Sequence, residues 1–421
     1  MSARTSARTA VLGQLAGLLV TLVVMVAASA FGQAPASPPP SYRFTSADEA
    51  VGIPVEVIAD GLVLVQATVN GHPGWFILDN ASQGFTVDRE FGRRISLQNS
   101  GTATARGGGS DAIHADVIRD VEIGLPGLDL THRVLIAIDL KGIEPSIGHT
   151  VDGIIGSRLF DDFVVEVDYA RRRVSIYLPG RYKPPAGARP LPVRVDEHGF
   201  PFIDATIILP GIEPLAGSFL IDGGANTYAD LYKPFSDAHH VPPANMKVLE
   251  EPGTSTGGRT ASRDGRADRV DVGPYSVTNA PITFADDVEG LMAAKDYAGL
   301  IGAEFLERFD VVFDNPNKRI RLTPNASYGQ PAEYDRSGLR IGAEGPDFHR
   351  FVVRRTVPHS PAADAGIEHG DIVESIDKRS AGEMTLTEIR AMLRRPGGRY
   401  SVGILPGDRH LRVDLELRPL I

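Results

Sequence analysis

The stretch Asp152–Leu178, DGIIGSRLFDDFVVEVDYARRRVSIYL, recurs as Ala298–Pro324, AGLIGAEFLERFDVVFDNPNKRIRLTP. Gly153/Gly299, Ile155/Ile301, Gly156/Gly302, Phe163/Phe309, Val165/Val311, Asp168/Asp314 and Arg173/Arg319 are identical at one constant offset. A second pair of stretches lies upstream at nearly the same separation. WFILDNAS closes an apolar run on Asp79, and FLIDGGAN closes one on Asp222. Each half therefore holds an apolar strand ending in an acid and, farther on, a Gly-apolar-apolar-Gly segment. Two copies make a duplicated domain and not a solenoid. The boundaries that follow are 51–183 for the first lobe and 184–325 for the second, with the Pro- and Gly-rich Pro179–Pro192 between their cores.

Both lobes read as β structure, in short runs punctuated by Gly, Pro and Asn. Leu62–Val69, the turn NGHPG and Trp75–Leu78 predict a hairpin, with Trp75 as a core residue. Helical spacing is sparse until the last hundred residues. There, residues 336–421 form a third unit with a strand-like FVVRRTV and one amphipathic helix. Leu386, Ile389 and Leu393 share a face of that helix, Thr385 and Glu388 form a capping pair, and RPGG ends it.

Residues 1–30 have the pattern of an export signal. Arg4 and Arg8 precede an almost wholly apolar Val11–Ala30, which ends in the small-x-small site Ala28-Ser29-Ala30. The apolar run is long enough that an uncleaved membrane anchor is the alternative. Residues 31–50, containing QAPASPPPS, read as a Pro-rich linker. The expected location is periplasmic or secreted, and membrane contact is expected only if the leader stays. With no cysteine in the chain, the exported protein relies on its core and not on disulfides. A net charge of −10 without a basic cluster argues against nucleic acid as a partner. Asp237–His240 (DAHH) lacks a partnered ligand set, so no metal site is expected.

An acid after an apolar strand, once per lobe, with a glycine-containing apolar segment downstream, resembles the pepsin and retropepsin aspartyl proteases over about Val51 to Pro324. The resemblance implies a mainly β fold in which duplicated retropepsin-like β-barrel lobes form a pepsin-like bilobal body. It makes Asp79 and Asp222 a catalytic dyad, supported by Asn80, Ala81, Ser82, Gly223, Gly224 and Ala225, with Gly156 and Gly302 packed beneath. Two carboxyls about 3 Å apart share one proton, and the ionised partner activates a water against a peptide carbonyl. Such chemistry takes a polypeptide substrate, needs no cofactor, and implies an acidic pH optimum. The resemblance also makes one of the Gly-rich stretches Ala105–Val117 and Thr254–Val270 a flap over the cleft.

Both acid loops depart from the family's Asp-Thr/Ser-Gly. Asn80 and Gly223 stand where a hydroxyl bonds across to the opposite loop, and Ala81 stands where glycine leaves room. Two functions stay open: an exported aspartic endopeptidase, or a non-cleaving scaffold that works as a peptide-binding adaptor.

The C-terminal unit resembles an α+β PDZ domain, on the residues Ser337-Gly338-Leu339-Arg340-Ile341 and the run VPHSPAADAGIEHGDIVESID. That resemblance implies a C-terminal peptide ligand added as a strand beside Leu339, Arg340 and Ile341. Amides near Gly338 would hold its carboxylate, and Leu386 and Ile389 would wall its pocket.

Overall fold

The computed structural model describes residues 25–26, 40–58, 60–109, 111–185 and 189–421. The leader and the first part of the tether lie outside the described residues, apart from a two-residue strand, Met25–Val26. Among the described residues, no helix is long and apolar enough to cross a membrane.

The repeat meets itself at the centre of the molecule. Val164–Asp168 from the first copy pairs antiparallel with Phe309–Asp314 from the second. Val165 faces Phe313 and Val167 faces Val311, on either side of the pair Glu166–Val312. Because the repeat equates Val165 with Val311, this register exchanges equivalent residues, as a pseudo-two-fold axis requires. Arg173–Tyr177 and Glu49–Ile58 extend this central sheet on one side, Arg319–Pro324 and Pro190–Pro192 on the other. Phe163, Val165, Val167, Phe309, Val311 and Phe313 place their side chains in one core cluster that spans both lobes. The duplication thus produces a shared sheet and a shared core, which fix the lobes relative to each other.

Within each lobe the downstream glycine segment slots between the two strands that flank the acid loop. Gly153–Ile155 runs parallel to His72–Leu78 and antiparallel to Phe85–Asp88. Gly299–Ile301 does the same between Leu215–Ile221 and Ala229–Leu231. Buried on every side, these runs are continuously apolar, as central strands must be.

Three details differ from the sequence expectations. The hairpin strand begins at His72 and not at Trp75, because Asn70 and Gly71 alone supply the two positive-φ residues of a tight turn. Residues 41–50, read as the end of a tether, belong to the first lobe. Ser41–Phe44 pairs with Leu128–Thr131, and Tyr42 and Phe44 meet Phe163 edge-on. Two aromatic rings are enough to draw this stretch onto the core. Pro190–Pro192, from the interlobe link, pairs with Arg319–Arg321 as an edge strand, the position that tolerates proline.

The C-terminal unit has its own sheet, in the order Leu339–Glu344, Arg350–Thr356, Ile372–Ile376, Arg399–Leu405, Leu411–Glu416. Helix Leu386–Leu393 covers it with Leu386, Ile389 and Leu393 buried. The capping box at its start is formed: the Glu388 amide donates to Thr385 Oγ1, and the Thr385 amide donates to Glu388 Oε2.

Candidate active site

Each acid sits where its strand ends, and the two loops are built alike bond for bond. The Asp79 amide donates to Ile155 O at 3.0 Å, and the Asp222 amide to Ile301 O at 2.9 Å. Each carboxyl then accepts the amide two residues on: Ala81 N to Asp79 Oδ1 at 2.9 Å, Gly224 N to Asp222 Oδ1 at 2.8 Å. The loops rest on the glycine segments through Ser157 N to Ser82 O and Ala303 N to Ala225 O. A Cβ on Gly156 would overlap the carbonyls of Ser82 and Gly84, and one on Gly302 those of Thr227 and Ala225. Glycine is required at both places by close backbone approach.

The cross-loop lock survives in altered form. Asn80 Nδ2 donates to Ile221 O at 2.6 Å, and Asn80 Oδ1 accepts the Gly223 amide at 2.8 Å. One amide side chain thus supplies both a donor and an acceptor to the opposite loop. Gly223 needs no side chain of its own, and a Cβ there would stand 3.0 Å from Asn80 Oδ1. Asn80 and Gly223 are a matched pair. At Gly224 a Cβ would overlap the Asp79 carboxyl, so the second loop keeps its glycine where the facing acid is closest. The Ala81 methyl is fully buried in an apolar cluster with Phe202, Leu220, Ala225, Tyr232 and Leu300. It has a place to pack.

Asp79 and Asp222 are both 0% exposed. Burial raises the Asp79 carboxyl well above the usual range, and the facing Asp222 charge raises it further. Burial pushes Asp222 up to about 7 against two backbone amides that favour its ionised form. Neither shift involves an Arg or Lys. Oδ2 of each acid has no protein hydrogen-bond partner among the described residues. Ionising both acids at once is costly in such a site. Sequence reasoning missed a third acid nearby: Asp230, on strand Ala229–Leu231, is also fully buried, and burial pushes it up to about 8. It alternates with apolar neighbours, so nothing in the pattern marked it.

Both Gly-rich stretches, and not one of them, reach across between the lobes. The Gly109 amide donates to Thr256 O at 3.0 Å and the Asp111 amide to Gly257 O at 2.7 Å. Beside them lies a cavity of about 640 Å3, lined by Arg106, Gly107, Phe202, Leu291, Ala294 and Tyr297. Phe202 and Leu291 belong to the cluster that holds Ala81 and Ala225, which puts the cavity next to the acid loops. Asp237–His240 closes a helix, with Asp237 paired to Lys233.

The PDZ residues are placed as one group but do not form an open groove. The Gly338 amide, expected to hold a ligand carboxylate, donates to Asp335 Oδ1 at 2.6 Å, and the Leu339 amide donates to Ser337 Oγ. Arg340 turns inward to Glu251 of the second lobe and to Asp335. Ile341 O accepts from Arg390, which also donates to Ser146 O of the first lobe at 2.8 Å. Leu386 lies under Gly148, where a Cβ would come within 2.9 Å of Leu386 Cβ. Ile389 is fully buried in the unit's own core. The residues expected to take a peptide are thus covered by groups of the same chain. Intramolecular groups already in reach satisfy their amides and cover their apolar wall.

Residues 65–159 match the family model for an aspartyl protease, and residues 352–405 match that for a PDZ domain. A search of the curated proteins found no match. The first match contains the Asp79 loop and Gly156; the Asp222 loop lies outside it and repeats its hydrogen bonds. The chain carries an aspartyl protease domain and a C-terminal PDZ domain on a mainly β framework.

Proposed function

We propose that the protein is an exported aspartic endopeptidase that hydrolyses peptide bonds with Asp79 and Asp222. The observation that carries this reading is the pair of mirrored loops. Oδ2 of each acid is free of protein partners among the described residues, and Asn80 bridges the two loops. In the singly ionised pair, the carboxylate takes a proton from a water, whose oxygen attacks the peptide carbonyl carbon. The protonated acid donates to the developing oxyanion. Collapse of the tetrahedral centre breaks the C–N bond, a carboxyl proton passes to the leaving amine, and the pair returns to its starting charge. The two glycine-rich loops must part for a polypeptide to enter, since neither acid is accessible while they touch. The cavity beside Phe202 and Tyr297 is lined by apolar side chains and by Arg106, Arg194, Asp196, Glu197 and Asp296, and has room for a substrate side chain. The adaptor alternative has less support, because the residues it depends on are covered by the two lobes and Asp335 already holds the Gly338 amide. Incubation with an unbiased peptide library tests the proposal. Cleavage blocked by a statine-type transition-state mimic is expected, and no cleavage at any pH would leave the loops as inherited scaffold.

The buried pair changes the expected pH dependence. An exposed pair would ionise once in acid, whereas burial raises both carboxyls here, Asp222 to about 7. The singly ionised state exists from the pair's first ionisation to its second. The rising limb of kcat/KM against pH is therefore expected near neutrality, in place of the acidic optimum that the family resemblance implies. Full activity at pH 4 would show that opening the loops rehydrates the acids.

Export is part of the same proposal. N-terminal sequencing of the protein from an expressing bacterium should find a start near Phe31. Met1 on a membrane-bound product would replace the signal with an anchor.

A further inference from the structure

The residues expected to bind a PDZ ligand are covered by the rest of the chain, around a cavity of about 110 Å3 lined by Asp335, Leu339, Ile341 and Arg390. A carboxylate is already on the loop amide: Asp335 Oδ1 accepts from Gly338 N and from Arg340 Nη1 at 3.1 Å. A short turn from the first lobe, Glu144–Gly148, packs on strand Leu339–Glu344. Its Gly148 backbone lies against Leu386 and Ala343, the two sides of the groove. Arg390 ties the Ser146 carbonyl to the Ile341 carbonyl across that groove. Arg394, on the last turn of the same helix, reaches Asp60 at 2.7 Å and Glu304 at 3.2 Å, and so pins the unit to both lobes.

We propose that the chain is its own PDZ ligand, with Asp335 as the carboxylate and the turn Glu144–Gly148 as the body, and that a polypeptide C-terminus with apolar last residues binds by displacing them. An intramolecular occupant has a high effective concentration. An external peptide therefore meets only the fraction of molecules in which the site is open, and its apparent affinity falls by that fraction.

The occupant leads directly to the acid loop. Val151 N donates to Glu144 Oε1, and Asp152 exchanges bonds with Trp75 through backbone and side chain. Gly153–Ile155 follows, and Ile155 O holds the Asp79 amide. Displacing the turn loosens the support of Asp79 from seven residues away, the separation of Gly148 and Ile155. A peptide bound at the PDZ unit thus acts on the protease site through a continuous stretch of chain. This effect on cleavage rests on the protease reading, but the competition for the groove does not.

The test uses the full-length chain and a labelled octapeptide ending in Val-Leu-Ile, as the free acid and as the amide. Asp335→Ala empties the loop amide, and Arg394→Ala leaves Asp60 and Glu304 unpaired at the docked interface. Each is expected to tighten binding of the free acid at least tenfold over wild type, with no gain for the amide. Hydrogen exchange on the wild type needs no substitution. Millimolar free acid should speed exchange at residues 144–156 at least tenfold and leave Glu49–Ile58 unchanged. Equal affinity in wild type and both variants would overturn the proposal, as would saturation without faster exchange at 144–156, or no binding by any form. Repeating the binding in an Asp79→Asn background separates these outcomes from failure of the protease reading, because that background does not cut.

Discussion

Asp79→Asn and Asp222→Asn should each lower kcat/KM by at least about a thousandfold and, at pH 8, make the protein more stable than wild type. The first effect follows from the chemistry, since either change removes the state in which one acid is ionised and the other protonated. The second follows from linkage. Unfolded, Asp222 loses its proton near 3.9; folded, it keeps the proton to about 7. A raised folded pKa gives stability that is fully present below the unfolded value and is lost as pH rises through the folded one. Between pH 4 and 7 the wild type should therefore lose stability steadily through this group. Asparagine does not titrate, and its amide can donate to the facing carboxyl. The Asp222→Asn variant should therefore unfold like wild type at pH 4 and several degrees higher at pH 8. Thermal melts across that range, beside peptide cleavage assays, read both effects. A variant that loses activity but gains no stability at pH 8 would mean that the acids are hydrated in solution.

The bilobal body was legible because a duplicated sequence can bury its repeat against itself. Gly156 and Gly302 marked the places where backbones cross too closely for any side chain. Asp79 and Asp222 stood out because an acid ending a buried strand demands an explanation. The occupied PDZ site was not legible. Its members, Gly148 against Leu386 and Arg394 against Asp60, lie hundreds of residues apart, and nothing local in either stretch names the other. Asp335 was closer to hand: an acid three residues before Gly338 is placed to bond that amide, as Asx-type turns do. The sequence boundary put it in an unassigned gap before residue 336, although Asp335 and the neighbouring Tyr334 join the PDZ unit to the second lobe.

Asn80 and Gly223 are expected to behave as one unit. From the sequence alone, Gly223→Thr looks like a repair that returns a hydroxyl to the second loop. The structure reverses that expectation, because the new Cβ would press on Asn80 Oδ1 at 3.0 Å and the branched side chain would have to displace the amide. Gly223→Thr alone should cost roughly 1–3 kcal/mol of stability, by the usual penalty for overpacking. Asn80→Ala leaves the Ile221 carbonyl and the Gly223 amide buried without partners, at roughly 1–3 kcal/mol for each. Both single variants should also lose ten- to a hundredfold in kcat, since a dyad held loosely by about 1 Å is a poor catalyst. The double variant Asn80→Thr/Gly223→Thr shortens one side chain as it lengthens the other, and gives each loop a hydroxyl that can reach the opposite backbone. It should recover much of the stability and rate lost by Gly223→Thr alone. A double-mutant cycle over Asn80→Thr, Gly223→Thr and the pair reads this as a favourable coupling of at least about 1 kcal/mol. Simple additivity would mean that the two residues act independently, and that Asn80 is not what holds the two loops together.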